Sequence, residues 1–306
     1  MKLRLSVAAA LVGALSGSAF AADLPSRKAP PVFVPPPPPL LWTGFYVGLN
    51  AGGTFDNNSS VNTVASPIYI HPGIRTASEV AAASAVSSWL SPSNGGFIGG
   101  GQVGYNYQLY TNFLVGIEAD IQGIAQGSSG VNGANVAPTG SGGNFWAGFT
   151  QVNRSLDYLG TVRGRVGYLF TPSLLVYGTG GLAYGGVNFS TSIFDAGVRS
   201  GGGRFDSPAI YTGAASYSDT LVGWTAGGGV EWMFLPNWSA KLEYLYYDLG
   251  SVSNNFVAVR PSNTFANGVA GIAAVQSTTR FDGHVIRAGV NYHFNWAPPV
   301  PVVAKF

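Results

Sequence analysis

From Thr43 onward apolar residues recur at every second position, not every third or fourth, which is the period of strands whose two faces meet different surroundings. The first predicted strand sets Phe45, Val47, Leu49 and Ala51 against Tyr46, Gly48, Asn50 and Gly52. A second sets Val103, Tyr105 and Tyr107 against Gln102, Gly104, Asn106 and Gln108, and a third sets Phe113, Val115, Ile117, Ala119 and Ile121 against Gly116, Glu118, Asp120 and Gln122. In the fourth, Leu156, Tyr158, Val162, Val166, Tyr168 and Phe170 alternate with Asp157, Thr161, Arg163 and Arg165. The fifth, over 174–187, is strand-like but keeps poor parity. The sixth sets Trp224, Ala226, Val230, Trp232 and Phe234 against Thr225, Gly227, Gly229 and Glu231. The seventh sets Trp238, Ala240, Leu242, Tyr244 and Tyr246 against Ser239, Lys241, Glu243 and Tyr247. The eighth sets Ile286, Ala288, Val290, Tyr292 and Phe294 against Arg287, Gly289, Asn291 and His293.

The connections alternate in length. Tight turns fall at 109–112, Thr171-Pro172-Ser173 and Leu235-Pro236-Asn237, whereas the other four connections run over 55–93, 125–153, 190–219 and 250–280. Four such loops are rare in a compact soluble domain. A soluble exported sandwich would explain the alternation but not the outward aromatics or this asymmetry. The fold predicted is all-β: an eight-stranded antiparallel up-and-down transmembrane β-barrel with four long external loops and three short periplasmic turns. A sheet crosses hydrocarbon only when it closes on itself, because every backbone polar group must pair within the protein. Aromatics near the short turns and termini, namely Trp42, Tyr46, Tyr107, Phe113, Phe170, Phe234, Trp238 and Phe294, are expected to form the periplasmic girdle.

Composition adds an address. Residues 1–21 carry Lys2 and Arg4, an apolar run and a closing Ala19-Phe20-Ala21, the layout of an export signal. Residues 22–41 form a Pro-rich periplasmic spacer, 42–294 the barrel, and 295–306 a Pro-containing tail. Removing Lys2 and Arg4 takes the 15 basic residues to 13, equal to the 13 acidic ones, so a nucleic-acid partner has no electrostatic basis. With 44 Gly among 306 residues, 9% charged residues and no Cys, the chain departs from ordinary domains and excludes disulfides and thiolate sites.

The inward parity gathers charge. Glu118 and Asp120 lie as far above the short-turn end of the third strand as Arg165 and Arg163 lie above that end of the fourth. Lys241, Glu243, Arg287 and Glu231 complete an inward set of four acids and four bases. Opposite charges in a bore only just wide enough for side chains predict a plugged barrel; inward glycines supply the alternative, a narrow channel for small solutes.

The stretches WTGFYVG (42–48), GFIGGGQVGYNY (96–107), GIEAD (116–120), YLGTVRGRVGY (158–168), VYGTGGLAYG (176–185), GWTAGGGVEW (223–232), WSAKLEYLYY (238–247) and VNYHF (290–294) touch every predicted strand. Together they resemble the small OmpA-like eight-stranded barrels of alphaproteobacterial outer membranes, the outer-membrane immunogenic proteins or porin family. The resemblance implies outer-membrane residence with lipid contact, insertion by the barrel-assembly machinery, and surface exposure of antigenic loops; peptidoglycan and host or surface ligands are the further candidate partners. Family strands end the chain at an aromatic, whereas 12 residues follow Phe294 here; Phe294 is the expected assembly signal instead of Phe306, because Pro298, Pro299 and Pro301 interrupt any later strand.

Chemistry-bearing motifs weigh little. Gly99-x-Gly101-x-x-Gly104 and Gly178-x-Gly180-x-x-Ala183 approach a dinucleotide fingerprint, but strand alternation continues past the first where a helix is needed, and small inward residues beside long charged ones explain both. His71, His284 and His293 fall at separate heights, so no metal site or cofactor is expected. No Ser is selected as partner for His71 or His284 with Asp56, Asp206 or Asp219, and no enzymatic activity is expected.

Overall fold

The protein is described by a computed structural model covering residues 42–294, apart from 58, 94, 111, 127–129, 140–143, 199–210, 263–265 and 267. The expected export signal, spacer and tail therefore lie outside the described residues, as do Phe306 and Asp206. Antiparallel strands run β1 (Gly44–Asp56), β2 (Val61–Ile70), β3 (Ser88–Leu90), β4 (Gly96–Leu109), β5 (Phe113–Gln126), β6 (Val131–Pro138), β7 (Phe145–Thr171), β8 (Leu174–Val198), β9 (Thr212–Leu235), β10 (Trp238–Pro261) and β11 (Val269–His293), with helix α1 (Thr76–Val86) between β2 and β3. Eight of them close a ring in the order β1-β4-β5-β7-β8-β9-β10-β11, sealed where β11 returns to β1 with Val47 opposite Tyr292 and Ala51 opposite Ala288. Each of the eight strands is paired on both sides around that ring over its lower part.

The ring has two storeys. β1, β4 and β5 are 13 or 14 residues long, but β7 to β11 reach 24 to 27. At about 3.3 Å per residue and a tilt near 40°, 25 residues rise about 60 Å, more than twice the ~25 Å apolar band of a bilayer-spanning barrel. Above β1, β11 pairs with β2; above β5, β7 pairs with β6. β3 extends β2, and Asn135 Nδ2 on β6 donates to the carbonyl of Ser87 beside it (2.6 Å).

The two faces exchange chemistry between the storeys. In the lower one the outward rows carry Leu49, Ile117, Val166, Leu182, Val230 and Leu242, with Leu49 74% and Val166 62% exposed, while the inward rows carry charge. The outward rows then reach a belt of Tyr158, Tyr184, Trp224, Tyr246 and His284, above which they read Asp157, Asn153, Asn188, Ser218 and Ser253. Inward, Val152, Leu156, Phe189, Ile193, Val252 and Val275 become the buried core. Burying apolar area stabilises the upper storey as it does a water-soluble sheet, at roughly 25 cal/mol per Å2. A ladder irregularity between Leu156 and Tyr158 resets the parity of β7, and a second between Asp248 and Ser251 resets β10. The β9–β10 ladder stops at Trp224–Asp248 and resumes at Thr212–Val259, so the wall is stitched above and below an unpaired stretch.

Several expectations are corrected by this arrangement. The four stretches expected as loops are mostly ordered: 55–93 contains β2, α1 and β3, 125–153 contains β6 and the start of β7, and β8 to β11 extend into the other two. The eight expected strands are joined by three accessory ones. Trp42 and Tyr46 are 1% and 0% exposed and point into the bore, so they are not part of an outward girdle. Leu156 is inward and Asp157 outward, because the irregularity beside Asp157 shifts the alternation by one. Gly99, Gly101, Gly178 and Gly180 share the outward parity of Phe97, Val103, Val176 and Leu182, so they do not make room for inward charges; Gly104 does face inward, where a Cβ would stand 2.4 Å from the Tyr46 ring.

Candidate functional site

The bore is filled in layers. At the short-turn end Trp42, Leu114, Leu169, Leu175, Tyr177 and Met233 form an apolar floor, and Trp42 Nε1 donates to the Pro172 carbonyl at 2.9 Å. Directly above lie the eight charged residues anticipated from parity. Arg163 on β7 touches Glu118 (2.5 Å) and Asp120 (2.8 Å) on β5, and reaches across the bore to Glu243 on β10 (3.0 Å). Arg287 on β11 bridges Asp120 (2.8 Å) and Glu243 (2.5 Å). Lys241 lies 3.0 Å from Glu118, and Arg165 lies 2.7 Å from Glu231. The structure brings all eight together, each below 6% exposed. A charge cluster this dry is tolerable only because every acid faces at least one base; removing one partner typically costs 3–5 kcal/mol.

Neutral groups that were not expected in the charge network complete the cluster. Tyr46 Oη donates to Glu118 (2.6 Å) and Tyr177 Oη to Glu243 (3.0 Å), while the Arg165 guanidinium sits 4.0 Å over the Tyr177 ring. Ser239 Oγ donates to Glu231 at 2.5 Å, and His293 Nε2 lies 2.9 Å from the same hydroxyl. The usable signal was parity: Tyr46 alternates with Phe45 and Val47 and so belonged inside.

Above the charges an apolar layer of Ile98, Leu159, Ala183, Val187, Phe189, Leu245, Val252, Phe281 and Val285 closes the bore again. Arg154 spans it, 2.7 Å from Asp56 on β1, donating to the Arg280 carbonyl and lying 4.5 Å over the Phe281 ring. Higher still, α1 lies inside the upper storey. Its alanines and Val86 pack with Trp146, Ile193, Ala258 and Val275. Glu79 of α1 is fully buried, paired with Arg260 and accepting from Tyr211 Oη at 2.5 Å; the Arg260 guanidinium lies 4.4 Å over the Trp146 ring. The Tyr211 amide donates to Asp195 (2.6 Å). Burial in this chamber, which stands clear of the apolar band, pushes the Asp195 carboxyl up to about 7 and also raises the Tyr211 phenol, which Glu79 raises further. The wall comes closest at Gly148, where a Cβ would stand 2.2 Å from the Ala85 backbone, so only glycine lets the helix seat.

The remaining candidates are scattered. His71 precedes α1 and accepts from the Gly73 amide, His284 points outward against Tyr244 Oη (2.7 Å), and His293 is at the floor. Asp56 is held by Arg154, and Asp219 accepts from the Thr220 amide. No group of three or more His, Asp or Glu among the described residues is arranged to hold a metal ion. Phe294 is partly exposed at the short-turn end, its amide donating to the Phe45 carbonyl at 2.8 Å.

A closed antiparallel ring with an oily outward band, a dry charged bore and a water-facing upper storey is an outer-membrane β-barrel. The chain belongs to the family described as outer membrane protein beta-barrel domain, whose model matches residues 7–294. It is 34% identical over 295 residues to a 31 kDa outer-membrane immunogenic protein of Brucella melitensis, covering 94% of this chain and 98% of that one. A 22 kDa outer membrane protein of Rhizobium leguminosarum is 35% identical over 154 residues, about half of each chain (50% and 53%). Among solved structures, OprG of Pseudomonas aeruginosa aligns over 82% of this chain and 97% of that one at 10% identity and a TM-score of 0.35; Neisserial surface protein A aligns over 82% and 98% at 14% and 0.27.

Proposed function

We propose that this protein is a sealed eight-stranded up-and-down barrel with a structural and surface-antigen role, its short turns in the periplasm and its long upper storey outside the cell. The carrying observation is the stack of dry layers: an apolar floor, a neutral-sum charge cluster, an apolar belt and a docked helix occupy one bore. The relatives' names, which describe immunogenic outer-membrane proteins, support surface display. In the same reading the protein is not an enzyme, residues 1–21 are an export signal, 22–41 a periplasmic spacer, and Phe294 the aromatic recognised by the barrel-assembly machinery. Lipid is the partner of the outward band, and the upper storey is the part that meets host or surface ligands.

Planar-bilayer recording tests the seal: no reproducible unitary conductance is expected, and a large one overturns the reading. The channel alternative rested on inward glycines, but side chains reach over some of them: a Cβ at Gly48 would stand 2.0 Å from Asn291 Oδ1, and one at Gly104 2.4 Å from the Tyr46 ring.

A further inference from the structure

On the outward face of the upper storey, Phe149 of β7 and Phe194 of β8 stand directly opposite each other in register. Their rings stack at 4.6 Å between centroids and 11° between planes, and both are open to solvent (38% and 49% exposed). Beyond their contact with each other, the two rings belong to none of the buried apolar clusters formed by the described residues. They border a groove of about 210 Å3 that continues, through the shared Gln151 and Ser192, into a second of about 290 Å3 lined by Asn153 and Ser190. Every side chain along this track is uncharged. Gln151 and Ser192 make no side-chain hydrogen bond to the described residues, so an amide and a hydroxyl are available for a ligand.

This combination selects a chemistry. A flat aromatic pair receives the C–H face of a pyranose, and amides with hydroxyls match its equatorial hydroxyl groups. A phosphate or a sulfated chain would require cations, and the track has none. Its place selects the source. Phe149 lies nine residues and Phe194 ten residues above the aromatic belt at Tyr158 and Tyr184, and Asn153 lies five above it. At about 3.3 Å per residue with a tilt near 40°, the track starts about 13 Å above the belt and ends about 25 Å above it. The face is continuous with the lipid-facing band, and directly over the outer leaflet of such a membrane stand the sugars of its glycolipid.

The geometry points to a neutral-oligosaccharide track on β7 and β8, occupied by the glycan of neighbouring outer-leaflet glycolipid. This rests on the reading that the long storey faces outward. The test uses the full mature protein in detergent micelles. The probes are the delipidated neutral glycan released from the glycolipid of the host's own outer membrane, the intact glycolipid, and maltoheptaose as an unrelated neutral sugar. The released glycan is expected to bind, and Phe149→Thr with Phe194→Thr to weaken it at least tenfold while heat-modifiable mobility is unchanged. If that double variant does not fold, Gln151→Ala with Ser192→Ala is expected to weaken it at least threefold. Equal binding by folded variants, or no binding of the released glycan, overturns the proposal. Binding of the intact glycolipid alone overturns it too, because phosphate or acyl chain is then what is recognised. Maltoheptaose bound as tightly as the released glycan overturns the assigned source, and a change in oligomeric state with glycan binding intact reassigns the face to protein contact. Orientation is read separately: Ser218→Cys is expected to react with an impermeant maleimide on intact cells. Failure there removes the outward reading, whatever the micelle result.

Discussion

Glu118 and Arg163 stand directly opposite each other in the β5–β7 register, with Arg163 Nη2 2.5 Å from Glu118 Oε1 at the centre of the dry charge cluster. Replacing Arg163 by Glu would leave Glu118, Asp120 and Glu243 facing a fourth acid. Single reversal is expected to cost at least the 3–5 kcal/mol of a broken buried pair. The fraction of heat-modifiable barrel after refolding into vesicles should drop. Adding Glu118→Arg restores one opposite pair but not the contacts to Asp120 and Glu243, so recovery is expected to be partial. Normal folding of the single reversal refutes the idea that pairing at this height matters for assembly.

The exchange of face chemistry along β9 gives two substitutions with different costs. Val230 faces outward near the middle of the apolar band, and Ser218 faces outward above the belt on the same strand. Val230→Arg is expected to destabilise by about 2–4 kcal/mol and Ser218→Arg by less than about 1 kcal/mol. Urea titration of protein folded in lipid vesicles measures both, and equal costs would mean the band does not end at the belt.

Helix α1 should depend on a missing methyl group. Gly148→Ala places a Cβ on the Ala85 backbone, whereas Gly99→Ala meets only ordinary contact at 3.6 Å. Overpacking of this kind costs about 1–3 kcal/mol. In an Ala83→Cys background the thiol should label about tenfold faster with Gly148→Ala and at an unchanged rate with Gly99→Ala.

The chamber around α1 should also respond to pH. Asp195 has a pKa raised from 3.8 to about 7 by burial, so the folded form holds its proton more tightly than the unfolded chain does. Its contribution to local stability is fully present below about pH 4 and is lost as pH rises through about 7, a decline of roughly 3–4 kcal/mol. Hydrogen exchange of the Tyr211 amide and of the α1 amides, corrected for intrinsic rates, should show protection falling between about pH 4 and 7 and levelling off above that. Asp195→Asn, which keeps an acceptor for the Tyr211 amide, should flatten that profile.

The lower storey was legible over most of its strands because lipid outside and charge inside give opposite parities along them. Counting from the short turns gathered Glu118, Asp120, Arg163 and Arg165 in one zone but set Asp120 level with Arg163, whereas Phe113 pairs with Tyr168 and the register puts Glu118 opposite Arg163, a shift of two residues. The upper storey was not, because its outward rows mix Ser, Asn and Gln with a few apolar residues such as Phe149, Phe194 and Val257, while its inward rows carry Val, Phe and Ala. A search for oily outward faces therefore ended the strands at the belt. Parity at Leu156 and Asp157 was lost to one irregular residue that no composition marks. The poor alternation over 174–187 has a different cause: β8 is regular there, but Leu182 and Ala183 are apolar on opposite faces. The Glu79, Arg260 and Asp195 contacts join residues far apart in sequence through a helix inside the wall, and no period reports that.

Placing grease outside at one height and inside at another has a consequence for the journey before folding. Neither stretch of any long strand holds a continuous run of apolar residues, so nothing after residue 21 has the ~20-residue apolar length that would lodge in an inner membrane on the way out. The finished molecule satisfies both lipid and water, while the unfolded thread offers the translocation channel nothing to retain.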